Sequence, residues 1–271
     1  MELLLWLVYG VIPAVAAMLI GVGIGGPRWL APALAVAICV PAGMAHGWPG
    51  WPWQLDLHHG AARPWLWWLL AAAGLLGGAY DLRALPTVLA LIGEIALLAF
   101  LPWLLSAPLR AGWTFEGCVV FLSAGWLVLA LIWWVLRGAA QAHPGMSVPL
   151  AMTFVLSTDA YLLSRHAGGP DWELAGVAAI ALGFAVLTTV WRRPFVCRTG
   201  GVLFITLAHV GLLWCGRSER QLLHPEFVLA ALAPLPMWAV TMKACADGRA
   251  TGALVGVIGV VLLCGVAVGL A

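Results

Sequence analysis

Long apolar runs, separated by short polar segments, follow one another along the whole chain. A helix needs roughly 20 mostly apolar residues to cross a hydrocarbon core about 30 Å thick. The pattern therefore predicts an all-α, polytopic membrane helix bundle with about ten transmembrane helices, within a range of roughly eight to ten. The predicted spans are 3–23, 28–47, 64–80, 86–106, 117–136, 147–165, 173–191, 199–216, 226–243 and 251–270.

The ninth run, 226–243, contains Pro234 and Pro236, which predict a broken or kinked helix. The third run, 64–80, is the other weak span. Because every segment between runs is short, we expect a single transmembrane domain over 1–271 and no soluble domain. Two pseudo-halves, about 1–136 and 137–271, are an open alternative by analogy with carriers built from inverted repeats.

Composition narrows the class of protein further. Of the 271 residues, 63% are hydrophobic and 9% are charged, whereas about a quarter of the residues of a soluble domain are charged. Of the 17 tryptophans, all but Trp126 and Trp238 lie near a predicted helix end or in a loop, and indole rings prefer the headgroup level. The net charge of +2 is spread over the loops, which argues against a nucleic-acid partner. The expected surroundings are a lipid bilayer.

Loop charges predict the orientation. Lys and Arg are more frequent in the odd-numbered loops (Arg28, Arg83, Arg137, Arg192, Arg193, Arg198, Lys243, Arg249) than in the even-numbered loops (Arg63, Arg110, Arg165, Arg217, Arg220). The odd loops are therefore expected in the cytoplasm and both termini outside. The first run follows Glu2 rather than a basic segment, which favours a retained helix over a signal peptide. The expected location is a bacterial-type inner (plasma) membrane.

Three ionisable side chains lie well inside predicted spans: Glu94, Asp159 and His209. All three are on even-numbered helices, which run in the same direction, at depths of roughly 12, 18 and 15 Å from the helix starts. They can therefore share one layer near the bilayer midplane. Intramembrane carboxylates commonly mark ion or proton pathways; the alternative is a protonated acid that only holds helices together.

Of the two spans that carry a carboxylate, the one around Asp159 has the less favourable free energy of insertion into lipid. Its strongly apolar side chains contribute about 2–4 kcal/mol to insertion, which only matches the cost of one Asp, about 2.5–3.5 kcal/mol. Ser157 and Thr158 add to that cost. We therefore expect this helix to be enclosed, and we predict an ion or substrate pathway in which Glu94 and Asp159 line a shared polar cavity. For His209, the alternative is a neutral imidazole bonded to Thr206 or to a backbone carbonyl.

The loop after the second span could hold a metal ion. Asp56, His58 and His59, with His46 nearby, are ligand types that suit zinc or copper. Adjacent histidines point away from each other on a helix or a strand, so the alternative is a Trp-Pro loop that rests on headgroups. No cofactor follows from the sequence.

Arginines in "WRRPFVCR" form a second candidate contact. Arg192, Arg193 and Arg198 suit either a cytoplasmic anchor against anionic lipid or recognition of a phosphate group. Asp171 and Glu173 are expected to lie in a solvated loop at a helix N-terminus, where acids are favourable.

Glycines at four-residue spacing allow close helix contact. Gly252 and Gly256, with Gly265 and Gly269, form such pairs in the last span, and they predict packing within the chain or, alternatively, a homodimer or protein-partner face.

No catalytic motif occurs, which favours a protein that is not an enzyme. The leading hypothesis is a small secondary transporter or permease for a small molecule or ion. A membrane subunit or assembly factor of a larger complex is the first alternative, and a membrane-embedded lipid-modifying enzyme is the second.

Overall fold

The computed structural model describes residues 7–52, 55, 61–110, 112–142, 145–167, 171–191, 197–220, 224–241 and 249–271, and every regular element in them is helical. The longer segments are α1 (Leu7–Ile24, wound as a π-helix at both ends), α2 (Leu30–His46), α3 (Ala62–Asp81), α4 (Thr87–Leu105), α5 (Phe115–Ala142), α6 (Ser147–Ala167), α7 (Asp171–Trp191), α8 (Thr199–Arg220), α9 (His224–Leu232) and α10 (Arg249–Leu270). Short helical turns occupy Pro27–Trp29 and Ala107–Arg110.

The prediction of a multi-pass, all-helical membrane protein is confirmed. Within the described residues, seven helices are long and apolar enough to cross a membrane: α1, α4, α5, α6, α7, α8 and α10. Apolar segments of α2 and of the α9 region are shorter. Large apolar side chains such as Val88, Ile92, Leu254 and Leu262 are exposed on the outer surface, as expected for helices that face acyl chains rather than water.

The break predicted at Pro234 and Pro236 is also confirmed. α9 ends at Leu232, and a 3₁₀ segment, Leu235–Thr241, continues the chain after a turn. Proline has no backbone N–H to donate and its ring clashes with the preceding helical turn, so the α-helix cannot pass through this pair.

Three ion pairs identify one end of the bundle, which we call the histidine end: His46–Glu173 at 2.8 Å, Arg63–Asp171 at 2.7 Å and His166–Glu226 at 2.9 Å. They join the end of α2, the start of α3, the end of α6 and the starts of α7 and α9. Asp171 is fully buried and binds Arg63 through both oxygens, unlike the solvated acid expected from the sequence.

The opposite end is the arginine end, defined by Asp81, Arg137 and Arg198. These residues come from the end of α3, the last turns of α5 and the segment just before α8, and they line one cavity. Thr241, at the end of the 3₁₀ segment, lies beside Gly138 of α5 and so belongs to this end as well. The chain therefore passes back and forth between two chemically different ends.

α8 is the central helix, and nearly all of its membrane-spanning segment is buried. It packs against α3, α4, α5, α6 and α7. Its closest approach is to α3, where a Cβ on Gly77 would lie 2.8 Å from the carbonyl oxygen of Gly200. Glycine is required on both helices because the backbones touch there. Asp81 lies one turn beyond Gly77 and is thereby held against the start of α8.

The glycines of α10 divide into two groups. A Cβ on Gly256 would contact Met237 and Val240 within the chain, whereas nothing described lies within 4 Å of a Cβ on Gly265 or Gly269. Gly256 therefore serves packing inside the bundle, and the homodimer face stays a prediction.

Candidate functional site

A buried pair of ionisable groups lies in the middle of the bundle. His209 Nδ1 and Asp159 Oδ2 are 2.6 Å apart, and neither side chain has any exposed surface. Asp159 is about 18 Å along α6 and His209 about 15 Å along α8 from the arginine end. The two helices run in the same direction, so the two residues lie at similar depths, in agreement with their contact in the structure.

Each member of the pair keeps one polar atom without a hydrogen-bond partner among the described residues, Asp159 Oδ1 and His209 Nε2. Unpartnered buried polar atoms are rare because each loses its hydration without compensation. The hydrogen bond between Nδ1 and Oδ2 can hold one proton between the two groups.

Neighbouring hydroxyl groups are satisfied within their own helices. Thr158 donates to the carbonyl oxygen of Phe154 at 3.0 Å, and Thr206 donates to that of Val202 at 2.8 Å. Thr206 is thus not the partner of His209. Ser157 is exposed on the outer surface, and its hydroxyl donates to the carbonyl oxygen of its own preceding turn. Asp159 and His209 are each other's polar contact.

Glu94 has a different partner. Its Oε2 lies 3.2 Å from Nη1 of Arg137, and the Glu94 side chain is 2% exposed whereas the Arg137 side chain is 25% exposed. The guanidinium also lies over the ring of Trp133, 4.8 Å from its centroid. α8 packs against both α4 and α6 and lies between them. The structure therefore assigns Glu94 and Asp159 to two separate ion pairs.

A cavity of about 680 Å³ opens at the arginine end. The polar side chains that matter for its chemistry are Asp81, Arg83, Arg137, Gln141, Arg198 and Thr199. Arg83 and Gln141 are exposed at its mouth, whereas Asp81 is buried in its wall. Glu94, bound to Arg137, connects this cavity to the interior of the bundle.

Asp81 is only 3% exposed and lies beyond the end of the predicted span 64–80. Its Oδ1 accepts a hydrogen bond from the backbone N–H of Gly200 at 3.3 Å, and its Oδ2 has no partner among the described residues. Burial raises the pKa of this carboxyl to about 6, although the N–H of Gly200 and the charge of Arg198 oppose the rise. Near neutral pH, Asp81 can exist in either protonation state.

The thiol of Cys197 borders the same cavity and is buried. Burial raises its pKa to about 12. Since the thiolate is the nucleophile, the raised pKa makes this thiol a weak nucleophile at neutral pH.

Arg83 occupies a backbone position that usually belongs to glycine. Its φ is +58°, and its N–H donates to Tyr80 while that of Ala84 donates to Ala79. These bonds form a Schellman motif at the end of α3, in which the left-handed residue is most often Gly. A residue with a Cβ costs about 1–2 kcal/mol there. The strained backbone supports a role for the arginine side chain at the cavity mouth.

The other site residues that the sequence predicts are not all at one site in the structure. Asp56, His58 and His59, and also Arg192 and Arg193, lie outside the described residues. Arg198 lines the cavity, and His46 pairs with Glu173. In the part of the chain that the structure describes, no group of three or more His, Cys, Asp or Glu side chains could hold a metal ion.

Sequence reasoning missed the cavity. Asp81 and Arg83 stand in a short polar segment between two apolar runs, and Arg83 was counted only as a loop charge. Arg137 was assigned to a loop because the predicted span ended at residue 136, whereas α5 continues to Ala142. The sequence did contain one indication: three odd-numbered loops, which lie at the same end of the predicted bundle, each carry charged residues.

No family model, no curated protein and no solved structure matches this chain.

Proposed function

We propose that the chain is a small secondary transporter, in which Asp159 and His209 form the proton site and the cavity at the arginine end admits the solute. The observation that carries this proposal is the fully buried pair, 2.6 Å apart, with Asp159 Oδ1 and His209 Nε2 unpartnered among the described residues. Intramembrane ionisable groups with such partners are typical of proton relays in carriers.

The energetics of this pair favour a functional role over a role that only holds the two helices together. Well-packed apolar residues stabilise a buried position as well as or better than an ion pair does, and α6 has little apolar surplus for carrying an acid. A second proton on the pair neutralises the carboxylate and weakens its attraction to the imidazolium. The contact between α6 and α8 then loosens, which gives two states whose balance follows proton binding.

Glu94 and Arg137 form the inner wall of the cavity in this scheme. Because Arg137 is partly exposed and Glu94 is not, the guanidinium can turn toward an anionic solute while the carboxylate stays in place. Their pair then acts as a gate between the cavity and the interior, separate from the proton site.

The topology proposed for this transporter has ten passes. α3 starts at Ala62, next to Arg63 at the histidine end, and ends at Asp81, at the arginine end. Its 20 residues extend about 30 Å, which is enough to cross. α2 ends at His46 and begins with Leu30, which lies beside Gly201 at the arginine end. The broken α9 segment likewise joins Glu226 to Thr241.

Basic loop residues place the arginine end in the cytoplasm in this proposal and both termini outside, in a bacterial-type inner membrane. The cavity then opens to the cytoplasm.

One observation supports a second candidate, a membrane-embedded lipid-modifying enzyme. The cavity with Asp81, Arg83 and Arg198 lies at one end of the bundle, at the level where a headgroup would enter. Such an enzyme would depend on Asp81 and Arg83 rather than on Asp159. A subunit or assembly factor would instead show no activity as a purified chain.

The test is a pH jump applied to proteoliposomes on a solid-supported membrane. We expect the wild type to give a transient charge displacement when protons reach the buried pair, and Asp159→Asn to lose it. Glu116→Gln, which changes an exposed acid at the start of α5, is the matched control and should keep the current. A wild type without current, or Asp159→Asn with an unchanged current, would refute the transporter proposal.

A further inference from the structure

The geometry of the arginine end points to a binding site for a small phosphate monoester that carries a hydroxyl or ammonium group. As a binding site it depends on the cavity alone; as the solute of the transporter it rests on the proposed function.

Positive charge dominates the cavity. Arg83, Arg137 and Arg198 line it, against two carboxylates, Glu94 paired with Arg137 and Asp81 near Arg198, so the arginines outnumber the acids. Nε of Arg198 is buried without a hydrogen-bond partner among the described residues. Guanidinium groups bind phosphate oxygens through paired hydrogen bonds, so a dianion with several oxygens matches this lining better than a neutral solute does.

Asp81 adds a carboxylate, and therefore negative charge, to this positively charged lining. It is 3% exposed, its carboxylate borders the cavity, and Oδ2 has no partner among the described residues. An inorganic anion would be repelled by this carboxylate. A ligand with a hydroxyl or ammonium group near its phosphate would offset the repulsion while the arginines hold the anionic group.

Arg83 provides an independent indication. The left-handed backbone at this position would be free of strain with glycine, yet an arginine is there and its side chain lines the cavity. Strained backbone of this kind is concentrated at ligand-binding positions. Loss of the side chain should therefore weaken binding and relieve strain at the same time.

The volume suits a small solute. About 680 Å³ falls within the usual range for small-molecule pockets, roughly 300–1,000 Å³. The same phosphate chemistry is available from a soluble sugar or polyol phosphate and from an anionic lipid headgroup, and the experiment separates these two sources.

Binding is measured calorimetrically with the purified full chain in phosphatidylcholine nanodiscs, with glycerol phosphate, inorganic phosphate and glycerol as probes. We expect glycerol phosphate to bind more tightly than inorganic phosphate, and glycerol not to bind. Arg83→Gly should weaken glycerol phosphate binding by about tenfold or more and raise the melting temperature. Arg165→Gln, an exposed arginine at the histidine end, should change neither property.

Asp81→Asn keeps the side-chain volume and an acceptor for Gly200 but removes the charge. We expect this variant to bind inorganic phosphate more tightly and to lose most of the preference for glycerol phosphate. Phosphatidic acid added to the nanodiscs should compete with glycerol phosphate if the site takes lipid headgroups, and it should have no effect if the site takes only soluble phosphates.

Absence of binding in both lipid compositions would overturn the inference, as would binding that neither Arg83→Gly nor Asp81→Asn alters. Asp159→Asn should bind the probes normally. A failure of phosphate binding is therefore distinguishable from a failure of the proton site, which the pH-jump current reports.

Discussion

The middle and the arginine end of this bundle accommodate charge in opposite ways. Asp159 and His209 are completely buried and contact each other, with neither side chain exposed. Glu94 and Arg137 form a looser pair whose guanidinium reaches a cavity shared with Asp81 and Arg198. One region has no exposed side-chain surface. The other borders a cavity that opens at the end of the bundle.

This difference shows why the two intramembrane carboxylates cannot be treated as equivalent. An acid without access to water depends on its partner, so changes at Asp159 or His209 should affect both stability and proton binding. An acid beside a hydrated guanidinium is compensated in several ways, so changes at Glu94 should be milder.

The largest effect is expected from His209→Leu. Removing one partner of a buried pair leaves an uncompensated polar group and should lower the free energy of unfolding by about 3–5 kcal/mol. Asp159→Val combined with His209→Leu should recover most of the loss, because an apolar pair no longer needs compensation. Unfolding in mixed micelles, followed by tryptophan fluorescence, measures both. A double variant no more stable than His209→Leu would show that the two residues are not coupled.

The helix contact that holds the cavity in place is tested by Gly200→Ala. The added methyl group would overlap the backbone of Gly77, so the helices α3 and α8 must separate, at a cost of about 1–3 kcal/mol. Gly269→Ala is the matched control because nothing described lies near its Cβ; it should be neutral or stabilise by up to about 1 kcal/mol. Equal effects on melting temperature at the two positions would contradict the close contact.

Glu94→Gln should lower stability by only about 1 kcal/mol or less, because the partly exposed Arg137 retains hydration and its contact with Trp133. Unfolding in mixed micelles, followed by tryptophan fluorescence, measures this loss of stability as well. A loss as large as that of His209→Leu would show that the two ion pairs do not differ in the way described.

The smallest effect is the pH dependence of anion binding at the arginine end. The pKa of Asp81 is raised to about 6, so its carboxyl is neutral below that pH and adds a negative charge to the cavity above it. Sulfate, which stays a dianion in this range, should bind roughly fivefold more weakly at pH 8 than at pH 5.

Ionisable groups near Asp81 are Glu94, Arg137, Cys197 and Arg198. Asp81→Asn should flatten the sulfate profile if Asp81 is responsible. A variant that keeps the full pH dependence would assign the effect to one of these neighbours instead.

Hydropathy and proline predicted the approximate positions of the long helices, and the break at Pro234 and Pro236 follows from backbone chemistry. The bounds were less accurate, since α5 continues to Ala142, six residues beyond the predicted end at 136. Counting along parallel helices also placed Asp159 and His209 at similar depths. The sequence could not show which helix faces which, because that order depends on contacts such as Gly77 with Gly200, whose spacing along the chain carries no pattern.

The cavity was beyond sequence reasoning for a related reason. Asp81, Arg83 and Arg198 belong to short segments that are far apart in sequence, and each is unremarkable in its own segment. Only the alternation of helices brings loops of one parity to the same end, and only the structure shows that their side chains meet there.

Proton exchange at the Asp159–His209 pair, as opposed to a static contact between helices, is measured by pH-difference infrared spectroscopy of the protein in lipid. We expect a protonated-carboxyl band that changes with pH in the wild type, is missing in Asp159→Asn and persists in Glu94→Gln. A pH-dependent spectrum that Asp159→Asn leaves unchanged would show that the pair is only a static contact.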